Sequence, residues 1–290
     1  APEHRFESAL LETISDNQAT PLADKQVSGG VGILKDQMAC AFKGFTHRLN
    51  IKKFDPPHLG LSRAEQGDVA HKVLESIYHK TPSSTDLAAY SKDELNKLID
   101  AAIQHELKRY KHSGFTQIEH SRLEQLIHKF IATEKQRDAF RVVATEQKIE
   151  ADINGLSFTA RLDRVDEMDN GDRIIFDYKT GMLPSNPWCG DPIKEPQLPI
   201  YATTNPADGI AFIKPASDKI SYIGMAKDHD SLPKKTSKQK SCNEWDEQLS
   251  LWQQQLDQTS LDYQQGKADV LPTKNACTYC EYDSLCRVEK

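Results

Sequence analysis

The sequence predicts a mixed α/β fold, a central sheet flanked by helices, and three observations carry that prediction. Two hairpin signals follow one another closely, Asn154-Gly155 and Asp169-Asn170-Gly171-Asp172, each set between runs of strand composition. Ahead of them lie long stretches of helical periodicity, opened by Ser or Thr with Glu three residues on. After them helix and strand patterns alternate, which points to a layered architecture rather than an all-β one.

Residues 1 to 30 are polar, with Pro21 and Gly29-Gly30, and are expected to form a short helix and then a linker, so that residues 1–33 make an N-terminal segment. Leu34 to Leu49 reads as helix around Cys40. Ser62-Arg-Ala-Glu65 caps the next helix, whose apolar face runs through Val69, Val73 and Ile77 with Ala70, Leu74 and Tyr78. His71 lies off that face, on the edge shared by Gly67 and Glu75. Glycine costs helix stability, which suits a place where something approaches the backbone closely. Two helices are expected from Ser91 to Tyr110 and from Thr116 to Phe140, capped by Ser91/Glu94 and Thr116/Glu119.

Arg141 to Glu150 starts the sheet, Asn154-Gly155 turns it into the strand Phe158 to Met168, and the second hairpin returns it through Arg173 to Lys179. The result is a three-stranded meander carrying Glu146, Asp163 and Asp177, with Asp166 out of phase with Asp163. Beyond the loop from Pro184 to Pro196, Gln197-Leu-Pro-Ile-Tyr201 begins a helix that tolerates Pro199 in its first turn. Ile210 to Ile213 and Ile220 to Met225 read as strands, and Trp245 to Tyr263 as a final helix.

The chemistry concentrates at Asp177-Tyr178-Lys179. Strand geometry sends Asp177 and Lys179 to one face, roughly 7 Å apart, and Tyr178 to the other. A hairpin partner brings Asp163 to that face as well. Two carboxylates and a lysine so arranged can hold a divalent cation and a nucleophilic water. Glu146 is open to two readings, a further acidic site residue or a solvent-facing strand glutamate. His71, taken alone, is an ordinary helical histidine.

Composition narrows the class. The formal net charge is −6, the wrong sign for a protein that coats phosphate with its whole surface. No apolar run approaches the roughly 18 residues that cross a bilayer, and the first residues lack a signal-peptide pattern, so a cytoplasmic protein without membrane contact is expected. The chain opens at Ala1, as a piece of a longer protein would. Gly30-Val-Gly32-Ile-Leu-Lys35 is followed by Asp36 where a phosphate loop needs Ser or Thr, which excludes an ATP-driven motor here. The tail spacing Cys277-x2-Cys280-x5-Cys286 suits metal ligation, and Cys40 would complete a four-thiolate set of iron–sulfur or zinc type. Cys189 and Cys242 have no such spacing and read as ordinary residues.

The run from Arg161 to Asp166 and the run from Ile175 to Gly181 resemble the core motif of the PD-(D/E)XK nuclease superfamily. With Gly67-Asp-Val-Ala-His71 before them, Gln197-Leu-Pro-Ile-Tyr201 after them and cysteines at both ends, the resemblance is to the RecB-like branch. Within it, the chain looks most like the iron–sulfur nuclease domains of AddB-type helicase–nucleases and the four-cysteine CRISPR-associated nucleases, although Ala41 stands where proline usually follows the first cysteine. The resemblance implies a restriction-endonuclease-like core over residues 34–290, with a helical insert at about 91–140 and cysteine-stapled termini. It implies Mg²⁺ or Mn²⁺ held by His71, Asp163, Asp177 and the Tyr178 carbonyl, with Lys179 orienting the attacking water. Gln197 and Tyr201 would lie near the DNA backbone or that water, and Glu146 matches an acidic first-strand position. A 4Fe–4S cluster on Cys40, Cys277, Cys280 and Cys286 is implied ahead of zinc. The implied activity is a DNA nuclease, of exonuclease type in repair or recombination, working with a helicase domain or subunit. Its polyanionic substrate requires a local basic groove, for which Arg48, Lys52, Lys53 and the run Lys234 to Lys240 are candidates. The rival readings are a catalytically idle DNA-binding scaffold and a zinc-stapled interaction domain.

Overall fold

The structure, a computed structural model, describes residues 17–51, 59–110, 114–215, 219–234, 236–238 and 242–288. Its frame is set by the two hairpins. Asn154 (φ +51°) and Gly155 (φ +80°) both take the left-handed conformation that a two-residue type I′ turn demands, joining β1 (Phe140–Ile153) to β2 (Leu156–Met168). The Asp169–Asp172 turn, with Gly171 at φ +88°, delivers β3 (Arg173–Tyr178) antiparallel to β2, Arg164 opposite Phe176. The chain then crosses over through α7 (Gln197–Thr204), so that β4 (Gly209–Pro215) lies parallel to β3. β5 (Ile220–Ala226) runs antiparallel to β4, and the two-residue β6 (Ser237–Lys238) completes a six-stranded sheet in the order β1-β2-β3-β4-β5-β6. This is the mixed sheet flanked by helices that the sequence predicts.

One face is covered by α3 (Arg63–Lys80), α5 (Lys92–Leu107) and α6 (Thr116–Glu134), whose Val73, Ile77, Ile99 and Ile127 pack with Phe176 and Ile213 of the sheet. The other is covered by α1 (Val31–Ala39), α7 and α8 (Trp245–Gln264), where Leu34, Ile200 and Trp252 pack with Ile175 and Phe212. Fully burying such side chains contributes about 1.5–3 kcal/mol each, which is ample to hold two layers on one sheet. The capping boxes Ser62/Glu65 and Ser91/Glu94 form in both directions, each serine accepting from the N3 amide and each glutamate accepting from the cap amide.

Several expectations are corrected. α6 ends at Glu134, and Phe140 is the first residue of β1 rather than the last of a helix. Its cap is Phe115, with no side-chain hydrogen bond; Glu119 is buried and engaged by Arg122, which removes it from any box with Thr116. The stretch from Leu34 to Leu49 is two helices, α1 and α2 (Ala41–Arg48), because Cys40 is extended (φ −167°) between them. α4 (Ser84–Ala89), capped by Ser83, was not foreseen. Cys189 and Cys242, expected to be ordinary residues, form a disulfide with Cα atoms 4.9 Å apart. The reason is packing: Trp188 stacks on Phe212 and its carbonyl accepts from Trp252 Nε1, which carries Cys189 to the segment that precedes α8. The expected helix near the N-terminus falls largely on residues 1–16, outside the described residues.

Among the described residues, no helix is long and apolar enough to cross a membrane.

Candidate metal and catalytic site

The parallel placement of β4 beside β3 puts the end of β3 in the middle of the sheet, where α3 and α7 converge on it. Continuing the β2/β3 register by one step from Arg164 opposite Phe176 sets Asp163 opposite Asp177. Here the backbone ladder gives way to a side chain: Asp163 Oδ2 accepts from the Tyr178 amide at 3.0 Å. Asp177 is almost wholly buried, and Lys179 Nζ lies 2.9 Å from its Oδ2. The structure thus brings Asp163, Asp177 and Lys179 together at the end of β3.

Two further groups arrive from neighbouring elements. α3 presents His71, one turn beyond Gly67, and its Nε2 lies 3.3 Å from the Tyr178 carbonyl. With Nε2–H donating there, Nδ1 faces Glu146 Oε1 at 3.6 Å and Asp163 Oδ2 at 3.5 Å. These three ligand atoms all lie within 4.8 Å of one another, close to the span of about 4.2 Å across an octahedral Mg²⁺ site. Glu146 is not solvent-facing. It sits at φ +46° in β1, below a β-bulge between Val142 and Ala144, and that backbone turns its carboxylate toward His71.

The donor set fits a cation. Glu146 Oε1 is buried without a hydrogen-bond partner among the described residues. Three carboxylates share the site, and a buried oxygen with no donor costs free energy unless a positive charge meets it. The electrostatics agree. Burial, then the neighbouring Asp177, pushes the Asp163 carboxyl up to about 7. Burial also raises Asp177, against the opposing pull of Lys179. For His71 burial works against charge, but the contacts with Glu146 and Asp163 outweigh it and the imidazole is raised. Lys179 is raised too, because Asp177 outweighs the desolvation of the ammonium.

Gln197 and Tyr201 are brought in as well. Lys179 Nζ donates to Gln197 Oε1 at 2.8 Å, Gln197 Nε2 donates to the Tyr201 hydroxyl at 3.2 Å, and that hydroxyl donates to the Arg161 carbonyl at 2.7 Å. This relay holds the lysine from the α7 side. His71, Asp163, Asp177, Lys179, Gln197 and Tyr201 line a solvent-open cavity of about 460 Å³. Two participants went unpredicted. Arg161 Nε lies 3.0 Å from Glu146 Oε2, and Glu195, paired with Lys35 at 2.7 Å, adds negative charge near Asp177. Arg161 stood inside the strand motif; nothing in the spacing of Glu195 marked it.

Cys40, Cys277, Cys280 and Cys286 line one cavity with Phe42 and Pro272. The tail is led there by backbone pairing across the α1/α2 break: Phe42 N donates to the Asp269 carbonyl and Thr273 N to the Ala39 carbonyl. α9 (Asp283–Cys286) ends the set. The candidate basic groove fares less well. Arg48 stacks over Tyr263 and donates to the Thr20 carbonyl, and Lys234 pairs with Asp138. Lys52, Lys53, Lys235 and Lys240 lie outside the described residues.

Comparison with known proteins bears on this geometry. Among curated proteins nothing matches. A solved structure described as "Crystal structure of SSO0001" is similar at 15% identity and a TM-score of 0.31, over 88% of this chain and 93% of that one. A sequence model of the PD-(D/E)XK nuclease superfamily matches residues 31–287, which include every residue of the site just described. The chain therefore belongs to the PD-(D/E)XK nuclease superfamily.

Proposed function

We propose that the protein is a Mg²⁺- or Mn²⁺-dependent deoxyribonuclease that hydrolyses phosphodiester bonds at the β3 end. The observation that carries this reading is the opposition of Asp163 and Asp177 across β2/β3, with Lys179 against one and His71 and Glu146 against the other. His71 Nδ1, Glu146, Asp163 and Asp177 would hold the cation, with the Tyr178 carbonyl fixing the imidazole. A cation bound there polarises the scissile phosphate and acidifies a water. Lys179 orients that water and offsets charge developing on the phosphate oxygens, in a setting where burial strengthens the effect. Gln197 and Tyr201 keep Lys179 aimed, and Asp177 keeps it protonated.

The convergence of four cysteines on one cavity supports a structural 4Fe–4S cluster that joins α1/α2 to the tail. The resemblance to AddB-type nucleases extends the reading to exonucleolytic end processing beside a helicase, by a domain spanning residues 34–290.

The deciding experiment incubates labelled single- and double-stranded DNA with the protein, with and without Mg²⁺, beside Asp177→Ala. Cleavage that needs the cation and disappears in the variant supports the reading; cleavage by the variant at the wild-type rate ends it. Iron content and absorbance near about 400 nm decide the cluster separately, since a zinc protein is colourless.

A further inference from the structure

A second cavity, of about 390 Å³, lies on the other side of the β3 terminus. Tyr178 and Lys179 line the catalytic cavity; Thr180 and Gly181, the next two residues, line this one. Its other walls carry Arg63 and Gln66 from the start of α3, and Arg122 and Lys129 from α6. No carboxylate lines it among the described residues, and the buried Glu119 behind it fixes the Arg122 guanidinium by accepting from Nε at 2.9 Å. The chain is acidic on average, yet three cations surround one concave space.

α3 ties the two cavities together. Arg63, Gly67 and His71 recur every four residues, so they run along one edge of the helix. Arg63 opens onto the basic cavity and His71 reaches the acidic site. Gly67 lies between them against the strand end, where a Cβ would sit 3.7 Å from Thr180 Oγ1. Eight residues of helix cover about 12 Å. A nucleic-acid strand advances at least about 3.4 Å per nucleotide, its rise along a duplex axis, so that length spans a few nucleotides.

We infer that this cavity is a phosphate subsite that grips the backbone of the nucleic-acid strand a few nucleotides from the bond being cleaved. The inference rests on the nuclease reading above and adds where the substrate lies. Arg63, Arg122 and Lys129 act as positioning residues: they hold phosphate and touch no reacting atom. The subsite also resolves how an acidic protein binds a polyanion, since only this local surface needs to be basic.

The test uses the double variant Arg63→Ala/Lys129→Ala, both exposed helical positions, with melting curves to verify the fold. Arg122 is left in place because its loss would strand the buried Glu119. Binding of a fluorescein-labelled ten-nucleotide single strand is measured in EDTA over a salt series, and cleavage of the same strand in Mg²⁺. Loss of two phosphate contacts is expected to weaken binding about tenfold near 0.1 M salt and to make the salt slope shallower by roughly one to two. KM should rise about tenfold with kcat unchanged, and Arg63→Lys/Lys129→Arg should restore both. A dinucleotide, too short to reach the cavity, should be cleaved equally by wild type and variant. An unchanged salt slope and KM on the ten-nucleotide strand, or an equal loss on the dinucleotide, overturns the subsite. Wild-type protein that neither binds nor cleaves either substrate overturns the nuclease reading, and the subsite with it.

Discussion

Asp163 and Arg164 are neighbours in β2, yet they belong to charge clusters of opposite kinds. Arg164 is wholly buried and meets Asp166 at 2.6 Å and Glu134 at 2.7 Å, while Arg137 meets the same two carboxylates at 2.9 Å. Two guanidiniums face two carboxylates, with Tyr78 and Tyr222 donating to Glu134. Around Asp163, three carboxylates crowd together, and among the described residues the cations Lys179 and Arg161, with a histidine that is charged only when protonated, oppose them. The carboxylates are buried in both clusters, yet the outcomes differ. Balanced charge makes an internal strut; unbalanced charge makes a site that waits for a partner from solution.

Breaking the unbalanced cluster should register in activity and hardly in folding. Asp177→Ala and Lys179→Ala are each expected to lower cleavage at least about a hundredfold while DNA affinity persists, read by single-turnover kinetics beside a binding isotherm. Either variant at wild-type rate would remove that residue from the chemistry.

Breaking the balanced cluster should do the reverse. Arg164→Ala leaves two buried carboxylates, Glu134 and Asp166, facing one guanidinium, that of Arg137, and is expected to cost about 3–5 kcal/mol in denaturant unfolding. Asp163→Asn, one residue away, should leave the metal-free protein as stable as wild type or more so, since it relieves repulsion and keeps an oxygen for the Tyr178 amide. Equal losses in the two variants would erase the distinction drawn between the clusters.

The pH dependence sharpens it. Burial alone would raise Glu134, but Arg137 and Arg164 outweigh it and hold the carboxyl at about 2, below its ordinary 4.5. Depressed in the fold, it stabilises fully above about 4.5, and that stabilisation, roughly 3 kcal/mol, is lost as pH falls toward 2. Asp163 has the opposite sign. Raised to about 7 from 3.8, it lowers metal-free stability as pH climbs between those values, and a bound cation should reverse that. Melting curves from pH 3 to 8 should show acid loss with or without Mn²⁺, and a Mn²⁺ shift larger at pH 8 than at pH 5. A Mn²⁺ shift that is flat with pH would count against cation binding at Asp163.

The smallest effect is expected at the relay. Tyr201→Phe removes the donor to the Arg161 carbonyl and the acceptor for Gln197, loosening Lys179 without touching it. A loss of about tenfold or less in kcat, with KM unchanged, is expected, which is near the net value of one hydrogen bond. No change in kcat would leave Tyr201 a packing residue only.

Much of this was legible in the sequence because it is local. Asn154-Gly155 and the Asp169–Asp172 turn fix two hairpins, alternation then fixes which carboxylates meet, and Asp177-Tyr178-Lys179 needs no tertiary information to aim two side chains together. Legibility fails where long-range packing decides. Glu134 and Arg137 ended a helix pattern without marking that they would flank β2. The Cys189–Cys242 pair depends on tryptophans 64 residues apart that meet in one layer. Glu146 stayed ambiguous because its direction comes from an irregular backbone, which strand periodicity cannot encode.

That irregularity has a bearing on how the sheet breathes. The β1/β2 ladder passes from Thr145 opposite Arg164 to Gln147 opposite Leu162, with Glu146 between them in a conformation that costs a side-chain-bearing residue of order 1–3 kcal/mol. In the absence of a cation only the partly exposed Arg161 and His71 oppose that cost at the carboxylate among the described residues. The middle of the longest strand, ordinarily the slowest part of a sheet to exchange amide hydrogen for deuterium, is then expected to open early, and should slow on addition of Mn²⁺ if the cation binds at Glu146.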